Sequence, residues 1–156
     1  LLIPMAGDYI IGEIMVHDVV TAKPDNTLLE CAKIMRDNNV GCVVVTDNGS
    51  PLGILTEQDI SRKVVAESID ANSTQVKDVM SENIISIHSS KGIRDAIYLM
   101  GNNEIKHLPV VDNGKLTGII TAKDIVVLEP ILMDKLVLNG KARRDNNHSN
   151  TENNMV

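Results

Sequence analysis

Aromatic residues are almost missing from this sequence: its 156 residues include two tyrosines and no phenylalanine or tryptophan. A hydrophobic core must therefore be built from Val, Ile, Leu and Met, and single-stranded nucleic acid finds no aromatic surface on which its bases can stack. Positive charge is also short, with 15 basic against 21 acidic residues and a formal net charge of −6. Such a surface repels phosphate backbones, so we expect no nucleic acid partner.

Cysteine is equally scarce, since the chain has only Cys31 and Cys42, and both lie among apolar residues without the short spacing of metal ligands. This pattern favours small core residues in a reducing cytoplasm over a disulfide framework. The four histidines are scattered, so we assign no metal site. No apolar run approaches the ~18 residues of a membrane span, and we expect no membrane association. The opening lacks the basic start of a signal peptide, and the missing initial methionine indicates a trimmed chain or a fragment.

The chain contains an internal repeat. Shifting the sequence by 65 residues aligns residues 11–60 with residues 76–125 without a gap. Identical pairs at this offset include Met15/Met80, Met35/Met100, Asn38/Asn103, Val45/Val110, Asp47/Asp112, Asn48/Asn113, Gly49/Gly114, Gly53/Gly118, Ile54/Ile119, Thr56/Thr121, Asp59/Asp124 and Ile60/Ile125. The pattern predicts two similar halves related by a pseudo-two-fold axis.

Each half predicts the same order of elements, β-α-β-β-α, and therefore the α+β fold class. Apolar residues at i, i+3, i+4 and i+7 from Leu28 and from Ile93 predict the first helix of each half. Thr56 and Thr121 begin the second helices. An Asn-Gly pair between apolar runs is a strong hairpin signal. Strands are predicted at residues 19–22, 42–46 and 51–55, and again at 84–87, 108–111 and 115–120.

These elements also predict domain boundaries. A unit of roughly 55 residues is marginal alone, because it buries only about 60% of the surface of its unfolded chain, so the halves must share a common body. The predicted parts are an N-terminal segment (1–10), a first repeat (11–67), a polar linker (68–75), a second repeat (76–128), a C-terminal helix (129–140) and a flexible tail (141–156).

The heptapeptide Gly-Ile-Leu-Thr-Glu-Gln-Asp at residues 53–59 returns as Gly-Ile-Ile-Thr-Ala-Lys-Asp at residues 118–124. One interpretation is structural: Thr-x-x-Asp between a strand and a helix is typical of a capping box, and the glycines mark a bulge or close packing. The other interpretation is functional. An ionised Asp accepts well from two vicinal hydroxyls, and helix amides favour an anion, which together indicate a ribose and a phosphate, hence a nucleotide. The residues alone leave both interpretations open.

The doubled Gly-Ile-x-Thr-x-x-Asp-Ile, the Ile-Lys-His-Leu-Pro-Val-Val-Asp segment at residues 105–112 and the Val-x-Asp-Val-Met opening resemble a tandem pair of cystathionine β-synthase (CBS) domains, a Bateman module. The resemblance covers nearly all of residues 11–128. It implies a regulatory module that binds an adenosine ligand such as AMP, ADP, ATP or S-adenosylmethionine between the two repeats and transmits its presence by a conformational change. It implies no catalysis and no cofactor.

The resemblance also implies roles for individual residues. Aspartates would accept from the ribose hydroxyls, threonines would lie near the ribose or α-phosphate, backbone groups would read the adenine edge, isoleucines would cover the ring, and Lys106 with His107, next to Pro109, would bind phosphate. The aspartates are Asp59 and Asp124, and the threonines are Thr56 and Thr121. The isoleucines that would cover the ring are Ile54 and Ile119. The backbone groups that would read the adenine edge belong to Val20, Thr21, Ala22, Ile85, Ser86 and Ile87. In the first repeat, Gly41, Cys42 and Val44 stand where the second has Lys106, His107 and Pro109, so one of the two sites is expected to be weak or empty.

Other interpretations compete with these roles. Lys106 is also typical of a solvated strand edge, His107 of a half-buried strand residue, and Arg62 with Lys63 of a solvated helix face. A structural dimerisation or interaction module with a vestigial nucleotide site is the alternative function. The family resemblance further implies self-association as a homodimer of pairs and an unidentified regulated protein as partner.

Overall fold

The structure is a computed structural model that describes residues 9–128. Its helices are α1 (Ile11–Ile14), α2 (Leu28–Asn38), α3 (Glu57–Asp59), α4 (Ile93–Asn103) and α5 (Ala122–Leu128); its strands are β1 (Thr21–Ala22), β2 (Cys42–Asp47), β3 (Ser50–Thr56), β4 (His107–Asp112) and β5 (Lys115–Thr121). A π-helical segment, Ile60–Val65, continues α3, and a 3₁₀ turn spans Val76–Asp78. The predicted C-terminal helix and tail lie outside the described residues. The mixed α+β fold with two sheets is confirmed.

The long helices α2 and α4 form where the apolar spacing predicted them. Thr27 begins α2 with a capping box: its hydroxyl accepts from the Glu30 amide at 3.1 Å, and the Glu30 carboxylate accepts from the Thr27 amide at 2.9 Å. The buried stripes are Leu28, Cys31 and Met35 in α2 and Ile93, Ala96 and Met100 in α4. Within residues 9–128, no helix is long and apolar enough to cross a membrane.

The two predicted hairpins are confirmed, and their turns explain the Asn-Gly pairs. Asn48 and Gly49 connect β2 to β3 with φ values of +49° and +80°. A two-residue turn of this hand needs positive φ at both positions, which Asn and Gly adopt most readily. Asn113 and Gly114 repeat the geometry between β4 and β5, with φ values of +50° and +75°.

The first strand differs between the repeats. In the first repeat, β1 runs parallel to β2, and the Val44 amide donates to the Val20 carbonyl at 3.3 Å. The predicted strand at residues 84–87 is wrong, since only Ile87 pairs, through a single bridge to Val110. The position that matches Val44 is Pro109, which has no N–H to donate, so the ladder cannot extend back toward Ile85.

Each repeat has its own aliphatic core, as the lack of aromatic residues required. The core of the first repeat consists of Ala22, Leu28, Cys31, Met35, Val43, Val45, Leu55, Val64 and Val76. The core of the second consists of Ile11, Ile87, Ile93, Ala96, Met100, Leu108, Val110, Ile120 and Ile125.

The two leading segments, residues 10–16 and 75–81, are exchanged between the repeats. Ile11 precedes the first repeat in sequence but is fully buried in the core of the second, and Val76 is fully buried in the core of the first. The segments also bridge to the opposite repeat through the pairs Ile10/Gly92, Val16/Ile119, Thr27/Gln75 and Ile54/Ser81. The exchange therefore joins the two halves through their cores as well as through the contact between β3 and β5.

Candidate functional site

Both copies of the heptapeptide form a capping box. In the first repeat, the Thr56 amide and hydroxyl donate to Asp59 Oδ2 at 3.0 and 3.1 Å, and the Asp59 amide donates to the Thr56 hydroxyl at 3.2 Å. In the second repeat, the corresponding distances between Thr121 and Asp124 are 2.9, 2.9 and 3.3 Å. The structural interpretation of the motif is thus confirmed in both repeats. The capping boxes also determine which carboxylate oxygen of each aspartate is already hydrogen-bonded.

The capping box uses only one oxygen of each carboxylate. An ionised carboxylate offers about four lone-pair positions, and the two on Oδ2 are filled by the threonine amide and hydroxyl. Oδ1 is left to accept from other donors. The Asp59 side chain is 13% exposed, so it lies mostly beneath the surface rather than in open solvent. Asp124 is likewise part-buried.

The motif glycines mark close packing, the second structural interpretation that the sequence left open. A side chain on Gly53 would collide with the sulfur of Met80, and a side chain on Gly118 would collide with the sulfur of Met15. Both methionines belong to the exchanged leading segments. The glycines therefore allow the leading segment of each repeat to lie directly on the motif strand of the other.

Asp59 has an intrachain partner that the sequence interpretation missed. Lys63 Nζ lies 2.9 Å from Asp59 Oδ1 and also donates to Ser81 Oγ at 3.0 Å. The segment carrying Lys63 is π-helical, and the Ala66 amide donates to the Ser61 carbonyl five residues earlier. The signal was present in the sequence as an Asp-to-Lys spacing of four residues, a favourable helical ion pair.

His107 lies where the two repeats meet. Its Nε2 atom would be 3.0 Å from a Cβ on Gly41, and the carboxylate of Glu57 borders the same spot at 3.5 Å. Burial lowers the pKa of His107 below its ordinary value; Glu57 opposes this shift, Lys106 adds to it, and Asp124 opposes it. One imidazole is therefore near a carboxylate from each repeat, and the low pKa keeps it neutral at pH 7.

Cys42 occupies in the first repeat the position that His107 has in the second. Burial raises the pKa of this thiol to about 12, with a further contribution from the charge of Glu57. The thiol is therefore protonated at neutral pH and supplies neither a charge for a phosphate nor a nucleophile. Lys106, in contrast, is exposed immediately before β4, and its carbonyl accepts from the Ala122 amide at 3.0 Å.

The residues predicted to read the adenine edge differ in their surroundings. Some use their backbone groups in hydrogen bonds within the protein, some bury their side chains in a core, and others are exposed. The Ile87 amide donates to the Pro109 carbonyl and its carbonyl accepts from Val111, at 3.0 and 2.9 Å. Ala22 is buried in the first core, as Ile87 is in the second, whereas Thr21 and Ser86 are exposed.

The residues predicted to cover the ring lie on the motif strands. Ile54 and Ile119 are half-buried. Their backbones pair with the exchanged segments, through Ile54 with Ser81 and Ile119 with Val16, at 2.9–3.1 Å.

A cavity of about 650 Å³ lies at the hairpin end of the first repeat. It shares two residues with the predicted site, Thr21 and Ala22, but neither motif aspartate lines it. The remaining lining residues are Lys23, Pro24, Asp25, Asn26, Thr46, Asp47 and Asn48. In residues 9–128, no three His, Cys, Asp or Glu side chains cluster as metal ligands would.

Comparison with known proteins shows where this architecture occurs. The family model of the CBS domain matches residues 11–66 and again residues 76–129. The CBS domain-containing protein YhcV of Bacillus subtilis is 34% identical over 117 residues, which cover 75% of this chain and 83% of that protein. An uncharacterised protein of Methanopyrus kandleri is 38% identical over 125 residues, 79% of this chain, and the match spans 64% of its own length.

A solved CBS domain pair in complex with 5′-methylthioadenosine and S-adenosyl-L-methionine has a TM-score of 0.70 against this structure. It is 28% identical, and the match covers 77% of this chain and 98% of that one. The doubled motif, the exchanged segments and the two family matches lead to one conclusion. The chain belongs to the CBS domain family, as a tandem pair of CBS repeats that forms a Bateman module.

Proposed function

We propose that the chain is a regulatory module that binds an adenosine nucleotide or related adenosine ligand between its two repeats. The observation that carries this proposal is the paired geometry of the motif. Asp59 and Asp124 are held part-buried by their capping boxes, which use Oδ2 and leave Oδ1 outside the cap, although Lys63 contacts Oδ1 of Asp59. A carboxylate oxygen in such a position is suited to accept from a sugar hydroxyl.

Chemistry around the motif supports the same ligand class. Ile54 and Ile119 offer aliphatic faces to a purine ring, in a chain that has almost no aromatic residues. Lys106 brings an exposed positive charge to the second repeat, beside His107. The similar CBS pair solved with 5′-methylthioadenosine and S-adenosyl-L-methionine adds support, since both of those ligands contain adenosine.

Regulation follows from the placement of the ligand between two halves. A ligand that contacts both repeats and prefers one of two arrangements shifts the module toward that arrangement, which a partner protein then reads. The identity of that partner, cytoplasmic localisation and self-association as a homodimer of pairs remain predictions from the sequence. We propose no catalytic step.

Ligand binding to the purified chain tests the proposal. AMP, ATP and S-adenosylmethionine are each added at millimolar concentration, and melting is followed by calorimetry. A ligand at 100 times its dissociation constant stabilises the folded state by about 2.7 kcal/mol, which raises the melting temperature measurably. If all three ligands leave the melting temperature unchanged and release no heat on titration, the proposal is wrong.

One observation favours a second candidate, a structural or interaction module with a vestigial site. The motif threonines and aspartates already satisfy one another, and Lys63 occupies the remaining oxygen of Asp59. In that case Thr56→Ala and Thr121→Ala lower the melting temperature, and nucleotide has no effect on it in any variant. A thermal shift with AMP or ATP contradicts this second candidate.

A further inference from the structure

The two motif aspartates differ in what already contacts them. Asp59 Oδ1 forms an ion pair with Lys63 at 2.9 Å, and the same ammonium donates to Ser81 Oγ at 3.0 Å. Ser81 is fixed by two backbone hydrogen bonds to Ile54, at 3.1 and 3.0 Å. The ammonium is therefore held between two anchored acceptors, at the atom that a ligand hydroxyl would need.

The second repeat has neither part of this arrangement. The position that matches Lys63 is Leu128, and the position that matches Ser81 is Val16. Within residues 9–128, no ion pair reaches Asp124, although its capping box is the same as that of Asp59. Among the described residues, Asp124 Oδ1 therefore has no charged partner such as the one Asp59 has.

The backbone carbonyls predicted to contact the adenine edge, those of Val20 and Ile85, also differ between the repeats. The Val20 carbonyl accepts from the Val44 amide at 3.3 Å. The corresponding pair in the second repeat is Ile85 and Pro109, and a proline has no N–H to donate. The chain thus uses one acceptor position of the Val20 carbonyl for its own sheet, whereas Pro109 cannot donate the equivalent bond to the Ile85 carbonyl.

Charge beside the motif completes the contrast. The residues between threonine and aspartate are Glu57 and Gln58 in the first repeat and Ala122 and Lys123 in the second. A phosphate-bearing ligand is repelled by the Glu57 carboxylate and attracted by Lys123. The sugar and base contacts therefore favour the second repeat, and Lys123 adds a positive charge there, whereas Glu57 lies where the two repeats meet, beside His107.

We propose that this chain binds one adenosine nucleotide, at Asp124 in the second repeat, and that Lys63 closes the equivalent position in the first by occupying Asp59. The inference rests on the proposed function and specifies its stoichiometry. A charge-assisted bond from an ammonium to a carboxylate is stronger than one from a neutral hydroxyl, so a ligand does not readily displace Lys63.

Isothermal titration of the full chain with AMP tests this inference. The wild type is expected to bind one AMP per chain, and Lys63→Met is expected to gain a second, weaker binding event. Lys63→Arg keeps the ion pair and should still bind one. Lys33→Met is the matched control, since it removes one exposed lysine from the outer face of α2 and should leave both stoichiometry and affinity unchanged. Circular dichroism verifies that each variant is folded.

Asp124→Asn identifies which repeat is occupied. It should weaken the single AMP binding event of the wild-type background by about 10-fold or more, and in the Lys63→Met background it should weaken one of the two events and leave the other unchanged. Three results overturn this inference while the proposed function stands. They are two binding events in the wild type, a single event in folded Lys63→Met, and, in Lys63→Met, a loss of affinity in the event that the wild type already shows. Absence of AMP binding in both the wild type and Lys63→Met refutes AMP as the ligand and this inference with it.

Discussion

Met80 lies on Gly53 so closely that a Cβ added to the glycine would come within 2.7 Å of Met80 Cγ and 3.0 Å of the Ser81 carbonyl oxygen. The contact is repeated at the pseudo-symmetric position, where a Cβ on Gly118 would lie 2.9 Å from Met15 Cγ. In both places the methionine belongs to the leading segment of the other repeat, so the contact joins the two halves.

Gly53→Ala and Gly118→Ala should each destabilise the fold by about 1–3 kcal/mol, because the added methyl group overpacks this contact. The free energy of unfolding in urea measures the effect. Gly92→Ala is the control, since a Cβ there meets only Asp95 Oδ2 at 3.7 Å and the Tyr9 carbonyl at 4.0 Å, and its cost should stay below about 1 kcal/mol. The double variant Gly53→Ala/Met80→Ala should lose less stability than the sum of the losses in the two single variants, because the shortened side chain makes room for the added methyl group. Strictly additive losses would show that the contact with Met80 is not the cause of the destabilisation at residue 53.

Ile11→Ala should cost about 2–5 kcal/mol, because it deletes a fully buried side chain from the core of the second repeat. Hydrogen exchange measures where the loss falls. Amides of α4 and β4 should lose protection more than those of α2 and β2, although Ile11 is closer in sequence to the latter. Greater loss in α2 and β2 would contradict the exchanged arrangement.

Acid should weaken the fold in part through His107. Its pKa is lowered in the folded protein, so between that value and the ordinary value of about 6.5 the unfolded chain binds more protons. Stability contributed by neutral His107 is therefore complete above about pH 7 and is lost as pH falls toward the folded pKa. His107→Gln should show a smaller fall in melting temperature between pH 7 and pH 5 than the wild type.

A control variant and the pH range distinguish the contribution of His107 to acid sensitivity from the contributions of other titratable groups. His17→Gln, which changes an exposed histidine, should keep the wild-type pH dependence. Hydrogen bonds from Ser89, then one from Thr117, lower the pKa of Asp112, with His88 contributing, so the stability that this carboxylate provides is lost only at more acidic pH. An unchanged slope in His107→Gln between pH 7 and pH 5 would show that burial of His107 has no part in the acid response.

The motif threonines should stabilise the protein whether or not a ligand binds. Thr121→Ala removes the hydroxyl that accepts from the Asp124 amide and should cost about 0.5–2 kcal/mol in urea unfolding. Thr121→Ser keeps the hydroxyl and should cost much less. Equal losses in the two variants would mean that the methyl group of Thr121, rather than the cap, is responsible.

Asp124→Ala should weaken AMP binding by about 10- to 150-fold, since a hydrogen bond to a charged group contributes about 1.5–3 kcal/mol. Titration calorimetry at a temperature where the variant is folded measures the change. Asp78→Ala alters the net charge equally at an exposed position and should leave affinity unchanged. A similar loss in both variants would indicate a general charge effect rather than a contact with the ligand.

Local signals in the sequence were sufficient for most elements of this fold. The spacing of Leu28, Cys31 and Met35 defines a helix face within eleven residues, and Asn48-Gly49 defines its turn by the positive φ that both positions need. The capping boxes were also visible, because a threonine and an aspartate three residues apart satisfy each other locally.

Non-local relationships were not visible. Two repeats with the same pattern do not reveal that Ile11 completes the other core, since either core accepts an aliphatic residue at that position. The missing strand at residues 84–87 depended on a hydrogen bond that only Pro109, more than twenty residues later, removes. The Lys63 contact with Ser81 likewise required the exchanged segment to be in place.

The exchange of leading segments also sets an order of events during protein synthesis. Ile11 leaves the ribosome before Ile125, and the core that receives it is complete only when Ile125 has emerged. At 5–20 residues per second, this apolar segment waits roughly 6–23 s without its final partners. The first repeat, in contrast, receives Val76 soon after its own strands are made, so translation finishes the first repeat before the second can bury Ile11.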